Sequence, residues 1–181
     1  MYAQFLVLIL ILSAGCTHRI DVNPLPSDQA TTPIPRALHL IVDTPALEGA
    51  DHRPGITLLE WPQENLDQAI LQYVEHRHTF DSVSANQGNL TLHITTKLVL
   101  MSRKGRYHYQ IHLHAEMLEE ERPVKTYSAE ATVPGSLARW VSASDRDPTN
   151  AAIQMALDDL FTQIEQDRSQ YVTDRGGSDQ P

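Results

Sequence analysis

The chain has 181 residues, a length typical of one domain, and 41% of them are hydrophobic, which is enough to build a core. Its 23 acidic residues outnumber its 14 lysines and arginines, so the formal net charge is −9. Binding to a nucleic-acid backbone needs clustered lysine and arginine, so this charge argues against a nucleic-acid partner.

The N-terminal residues have the pattern of a secretory signal peptide. Residues 5–12 (FLVLILIL) are all apolar, and this run is too short to cross a hydrocarbon core about 30 Å thick. Small residues follow, and the stretch LSAGC ends at Cys16, the one cysteine of the chain. An apolar run followed by small residues is typical of a segment that a signal peptidase removes, so we predict a signal peptide over residues 1–15. The alternative is an uncleaved chain in which Cys16 belongs to the core.

The stretch LSAGC resembles the lipobox of bacterial lipoproteins. This resemblance implies cleavage before Cys16, a diacylglycerol on its thiol and an acyl chain on its new amine, and we expect no other cofactor. Two or more acyl chains hold a protein firmly to a bilayer, so the mature protein would be anchored in a membrane. In familiar Gram-negative lipoproteins an aspartate after the cysteine retains the protein at the inner membrane. Thr17 at that position therefore implies the outer membrane, with the protein facing the periplasm.

The segments that flank the predicted domain are rich in polar residues, proline or glycine. Residues 17–36 contain four prolines and little apolar periodicity, so we predict that 16–36 are the lipidated cysteine and a flexible tether. The last stretch ends in DRGGSDQP, and we predict a disordered tail over 169–181. A single periplasmic domain over 37–168 lies between them.

Within that domain, residues 37–42 (ALHLIV) predict a strand, and 56–60 predict a second short one. Apolar residues at spacings of three and four from Leu66 to Val74 then predict an amphipathic helix. The segments 90–101, 107–118 and 124–133 alternate apolar and polar residues and are joined by polar links, a pattern that predicts a three-strand meander. A core-facing stripe from Ile153 to Ile164 predicts a second helix.

These elements predict an α+β fold with two layers. The sheet would be mainly antiparallel, made of the three-strand meander and an N-terminal strand, and two helices would pack on its apolar face.

Histidines follow the polar face of the predicted meander. A simple hairpin would bring His93 near His114, and His112 lies two residues before His114 on the same face. Because three histidines and a carboxylate could bind zinc, His93, His112 and His114 are the candidate metal ligands. The sequence favours a solvated polar face without metal, since ligands must converge within about 2 Å of the ion. A pH-sensitive patch is an intermediate option, because histidine changes charge near pH 6.

Trp140, in LARWVSASD, follows the last predicted strand and is the candidate residue for binding a partner, since aromatic residues dominate interface hot spots. The alternative, which the sequence favours, is that Trp140 closes one edge of the core. No nucleophile elbow, phosphate loop or dinucleotide fingerprint occurs in the sequence, so we predict no catalytic residue and no enzymatic activity.

The layout is similar to that of the auxiliary lipoproteins of ABC-type transporters and of the LPS-assembly lipoprotein. The similarity spans residues 37–167 and rests on the initial strand, Trp61 followed by a helix, the meander, and the final helix NAAIQMALDDLFTQIEQD. It implies a non-enzymatic adaptor or accessory subunit with protein partners in an envelope transport or assembly machine. The alternative is a periplasmic ligand- or metal-binding module that uses the histidine face.

Overall fold

A computed structural model describes residues 17–49, 58–135 and 146–172. The strands in these ranges are β1 Thr17–Arg19, β2 Ile34–Val42, β3 Ala46–Gly49, β4 Leu58–Glu60, β5 Phe80–Ser84, β6 Leu90–Arg103, β7 Arg106–Glu119 and β8 Arg122–Pro134. The helices are α1 Gln63–Arg77, α2 Arg146–Gln166 and α3 Arg168–Tyr171. The predicted α+β class is confirmed, with a third, short helix in addition to the two expected ones.

Six strands form one sheet of mixed direction. Five of them follow the order β5-β2-β6-β7-β8, and β3 pairs with β6 off this path. The strands β6, β7 and β8 are antiparallel neighbours, whereas β2 runs parallel to β5 and to β6, and β3 runs parallel to β6. The prediction of a mainly antiparallel sheet is therefore wrong for the strands before β6. The reason is the long connection through α1, which allows β2 and β5 to run in the same direction.

The helices cover the apolar face of the sheet, with α1 against β2 and β5 and α2 against β7 and β8. Alternation along β6 and β7 buries one side of each strand, including Ile94, Leu98 and Ile111. From α2, Leu157 and Phe161 are fully buried in the same core. No helix in the described ranges is long and apolar enough to cross a bilayer.

Residues 20–33, here called the strap, run along the helices from their beginnings to their ends. Near the start of α1, the Val22 N–H donates to Asn65 Oδ1 at 3.0 Å. At the other end of that helix, the Ala30 N–H donates to the carbonyl oxygen of Arg77 at 2.7 Å. These bonds fix the direction of the strap, so Thr17 lies on the side where α1 begins.

The packing of the strap differs from the flexible tether that the sequence predicts for residues 16–36. Ile20 and Val22 are buried in the main core, and Ile34 begins β2 with no exposed surface. The four prolines do not prevent this packing, because side chains such as Asn65 and Asn150 accept hydrogen bonds from the irregular backbone of the strap. Residues before 37, the predicted start of the domain, therefore contribute to its core.

Arg77, at the end of α1, joins both long helices and the strap. Its guanidinium is buried and donates to the Glu165 carboxylate at 2.8 and 3.2 Å and to Asp158 Oδ1 at 3.1 Å. The hydroxyl of Ser27 in the strap donates to the other oxygen of Asp158 at 2.7 Å. Tyr73 donates to Asp158 as well, at 2.6 Å, and burial together with this bond raises the pKa of Tyr73.

Packed residues continue beyond 168, the predicted end of the domain. The short helix α3 ends at Tyr171, which is buried and whose hydroxyl is hydrogen-bonded to that of Tyr127 on β8. Residues 169–172, predicted as part of the disordered tail, therefore belong to the packed domain. The rest of that predicted tail lies outside the described residues.

Candidate functional site

Two residues to which the sequence assigns a role lie outside the described residues. These are Cys16, the predicted lipidation site, and Trp140, the predicted partner-binding residue. The predicted signal peptide over 1–15 lies outside them as well. Their roles stay predictions. The first described residue, Thr17, begins β1 and pairs with Leu58 of β4.

The three candidate metal ligands lie on the face of the sheet opposite the helices. In the register of β6 and β7, Thr95 is opposite His114, so His93 lies diagonally from His114 instead of directly across. His93 Nε2 is 2.8 Å from Asp43 Oδ1, and His112 Nδ1 is 3.3 Å from a carboxylate oxygen of β8. The hydrogen bond from His93 holds the pKa of Asp43 below its ordinary value.

These contacts divide the histidines into separate pairs along the sheet. His114 Nδ1 is 3.4 Å from the hydroxyl of Ser128, a neighbour that neither His93 nor His112 contacts. Across the described part of the chain, no group of three or more His, Cys, Asp or Glu side chains is placed to hold one metal ion. A flat strand surface holds its side chains parallel to each other, which explains why they do not converge.

A cavity of about 390 Å³ opens between the end of β2 and helix α1. Its apolar lining residues are Leu40, Ile41, Val42, Leu71 and Ala85, and its polar ones are Glu64, Asp67 and Gln68. We call this cavity the β2–α1 pocket. The sequence predicts a functional role for none of its residues.

The pocket lies where β2 extends beyond the end of its neighbour β5. Pairing between β2 and β5 ends where His39 lies opposite Ser84, three residues before β2 ends at Val42. The side chain of Gln63, the first residue of α1, donates to the Val42 carbonyl at 3.2 Å and closes one end of the gap. Between these points, Ile41 keeps 40% of its surface exposed, which is high for an apolar strand residue.

Asp67 gives the pocket its chemical character. Its Oδ1 atom is buried and has no hydrogen-bond partner among the described residues, an arrangement that costs free energy unless a ligand supplies a donor. Burial raises the pKa of the Asp67 carboxyl, and the charge of Glu64, three residues earlier on the same helix face, raises it further. The pocket can therefore take a cationic or N–H-donating group with an apolar stem, such as a lysine or arginine side chain.

Comparisons with known proteins give no family. No family model matches the chain, and no curated protein matches its sequence. Among solved structures, a Xanthomonas campestris protein from the DUF330 family has a TM-score of 0.47 at 16% identity, over 82% of this chain and 91% of that one. A Caulobacter crescentus protein, described as a proposed lipoprotein, has a TM-score of 0.38 at 11% identity, over 69% of this chain and 89% of that one.

A Helicobacter pylori protein, described as a proposed homolog of a neuraminyllactose-binding hemagglutinin, has a TM-score of 0.36 at 10% identity, over 82% of this chain and 89% of that one. At such low identities and TM-scores, these likenesses assign neither a family nor a function.

Proposed function

We propose that this chain is a non-enzymatic lipoprotein of the bacterial envelope, anchored through lipid on Cys16. In this proposal it is an adaptor or accessory subunit of a transport or assembly machine at the outer membrane. The observation that carries the proposal is the lipobox-like stretch LSAGC, which is followed at once by the first strand of the fold.

The packed strap changes what such an anchor would do. A free chain of about 20 residues would let the domain move some 25 Å from the bilayer. Because Thr17 already belongs to β1, about one residue length of ~3.5 Å separates the lipidated position from the fold. An acylated Cys16 would therefore hold the domain against the membrane surface, where an accessory subunit would meet a membrane-embedded partner.

The β2–α1 pocket supports an adaptor role because it suits one side chain of a protein partner. Interfaces commonly depend on a few anchor residues, with arginine among the most frequent, that fill a desolvated pocket. The buried oxygen of Asp67 would gain its missing hydrogen bond from such a residue. Val42 and Leu71 would cover the apolar part of its side chain.

Crosslinking and recovery from native membranes tests this proposal. We expect the wild-type protein to recover a defined envelope partner, and the Cys16→Ser variant to lose it along with the membrane. Asp67→Asn should reduce recovery while leaving the anchor in place. The matched control is Glu75→Gln, an exposed position later on the same helix, which should behave as wild type. Recovery of no stable partner by the wild-type protein would count against the adaptor role.

No contact of the described residues favours the alternative, a metal-binding module on the histidine face. Each of the candidate histidines has its own polar neighbour, and His93 and His112 face different carboxylates. We therefore keep the adaptor as the single proposed function.

A further inference from the structure

The two tight turns of the meander carry opposite charges. The turn between β6 and β7, here called the basic turn, is Arg103-Lys104-Gly105-Arg106, and it holds three of the chain's 14 lysines and arginines. The turn between β7 and β8, here called the acidic turn, is residues 119–122 (EEER). Because the 14 residues of β7 separate them, the turns lie about 45 Å apart at opposite ends of the sheet.

The basic turn keeps its cations in an arrangement that does not favour folding. Arg103 lies directly opposite Arg106 in the strand register, and like charges in this position repel each other. Lys104 and Gly105 both have positive φ, +50° and +76°, as in a type I′ turn, where Asn, Asp or Gly is the usual first residue. The acidic turn has the same backbone, with Glu120 and Glu121 at φ +52° and +64°, so the feature that distinguishes the basic turn is the repulsion between Arg103 and Arg106.

The three cations are exposed and, within the described ranges, no carboxylate lies within ion-pair distance of any of them. On β3, which pairs with β6, the acidic residue is Glu48, and its carboxylate is paired with Lys97 at 2.8 Å. The basic turn is thus a compact positive site on a chain whose net charge is −9.

The topology places the basic turn on the same side of the molecule as the predicted anchor. Gln163 of α2 donates to the Ser128 carbonyl at 3.0 Å, and Asp167, the residue after that helix, pairs with Lys125 at 2.6 Å. Later residues of α2 therefore meet earlier residues of β8, so α2 begins toward the end of β8, where Pro134 lies opposite His108 beside the basic turn. The Asn23 N–H of the strap donates to Asn150 Oδ1 near the start of α2 at 2.7 Å, and the strap runs from there toward the end of α1. Thr17, which precedes the strap and follows the predicted anchor residue, therefore lies toward the basic turn.

We propose that the basic turn contacts the phosphate groups of anionic phospholipids in the membrane that holds Cys16, an inference that rests on the proposed lipid anchor. Arginine and lysine bind phosphate oxygens strongly, and each cation at an anionic surface increases binding about fivefold. At the other end of the sheet, the three glutamates of the acidic turn outnumber Arg122 and Arg36, which pairs with Glu119. An anionic bilayer therefore favours the orientation with the basic turn toward the membrane. The lipid and the turn together would hold the domain in one orientation.

Fluorescence quenching of the full lipidated chain in vesicles tests this contact. Acylation blocks the one native thiol, so an introduced cysteine accepts a single fluorophore. One variant carries it at Ser102→Cys, beside the basic turn, and a second, matched variant carries it at Thr126→Cys, near the acidic turn. Nitroxide-labelled headgroups then report which label lies near the lipid. The vesicles contain phosphatidylcholine alone or with about one-third phosphatidylglycerol, which supplies the anionic surface.

We expect the label at position 102 to be quenched strongly in the anionic vesicles and the label at 126 to stay unquenched. The ratio of docked to undocked protein should fall about fivefold for each cation replaced in Arg103→Gln, Lys104→Gln and Arg106→Gln. It should also fall in about 1 M salt, where the Debye length is ~3 Å. Arg122→Gln, which removes one cation from the opposite end, is the control and should have no effect.

Sedimentation of the same samples separates the two proposals. If the wild-type chain sediments with the vesicles but the label at 102 is quenched no more than that at 126, the membrane contact is refuted and the anchor stands. Equal quenching with and without phosphatidylglycerol would refute the contact too. If the wild-type chain fails to sediment and Cys16 carries no lipid, the proposed function fails, and the contact that rests on it fails as well.

Discussion

Replacing Ile20 with alanine is expected to destabilise the domain strongly, although residue 20 lies only four positions after the predicted lipid anchor. Ile20 is 1% exposed and belongs to the main core, and its N–H donates to the Glu60 carbonyl at 2.8 Å. Alanine would remove buried methyl and methylene groups and leave a cavity that a strap held by hydrogen bonds at both ends cannot easily fill. Such changes cost about 2–5 kcal/mol of the free energy of unfolding.

Leu25→Ala provides the control within the same strap. Leu25 is 54% exposed, so its replacement should change the free energy of unfolding by no more than about 0.5 kcal/mol. Both variants are made in a chain that starts at residue 16 and carries Cys16→Ser, and urea unfolding is followed by tryptophan fluorescence. The expected result is a lower midpoint for Ile20→Ala with an unchanged dependence on urea. If both variants unfold at the wild-type midpoint, residues 16–36 are the flexible tether that the sequence predicts.

Three further predictions concern the helices, the pocket and the histidine face. Arg77→Met should lower the free energy of unfolding by about 3 kcal/mol, because Asp158 and Glu165 lose their buried partner; a loss below ~1 kcal/mol in urea unfolding would contradict the role given to Arg77. Asp67→Asn should raise stability at neutral pH. A raised carboxyl pKa means that stability is lost as pH rises through that pKa, so the gain over wild type should vanish in acid, and an equal gain at both pH values would contradict the burial of the charge. Wild type and His112→Ala/His114→Ala should contain the same substoichiometric zinc by metal analysis, whereas one zinc per chain that is lost in the variant would establish a metal site.

The sequence predicts those elements whose pattern is local. The period-two alternation of residues 90–101 and 107–118 is enough to predict β6 and β7, because neighbours on one chain determine which side of each strand is apolar. The direction of β2 relative to β6 depends instead on the whole connection through α1, which no short pattern encodes. Residues 37–42 therefore predict a strand but not its parallel pairing.

Proline content misled the prediction for the strap. Proline removes a backbone donor and disfavours helix, but it does not oppose burial of the residues beside it. Ile20 and Val22 alternate in the sequence and are both buried, a short signal that the four prolines of residues 17–36 obscured.

The pocket and the basic turn depend on contacts between distant segments. Glu64 and Asp67 lie three residues apart on one helix face, which is a visible signal of paired acidic groups. Their apolar counterparts Leu40 and Ile41 come from β2, and only the tertiary structure shows that the two sets share a cavity. Likewise, the charges of the basic turn can be read from SRKGR, but its position on the side of Thr17 follows from the tertiary structure.

Mass spectrometry of the N-terminal peptide, with protein purified from the membranes of its native host, tests the lipid anchor most directly. We predict a peptide that begins at Cys16 and carries a diacylglycerol thioether and an N-acyl chain. A peptide that retains the residues before Cys16 and has an unmodified thiol would contradict it.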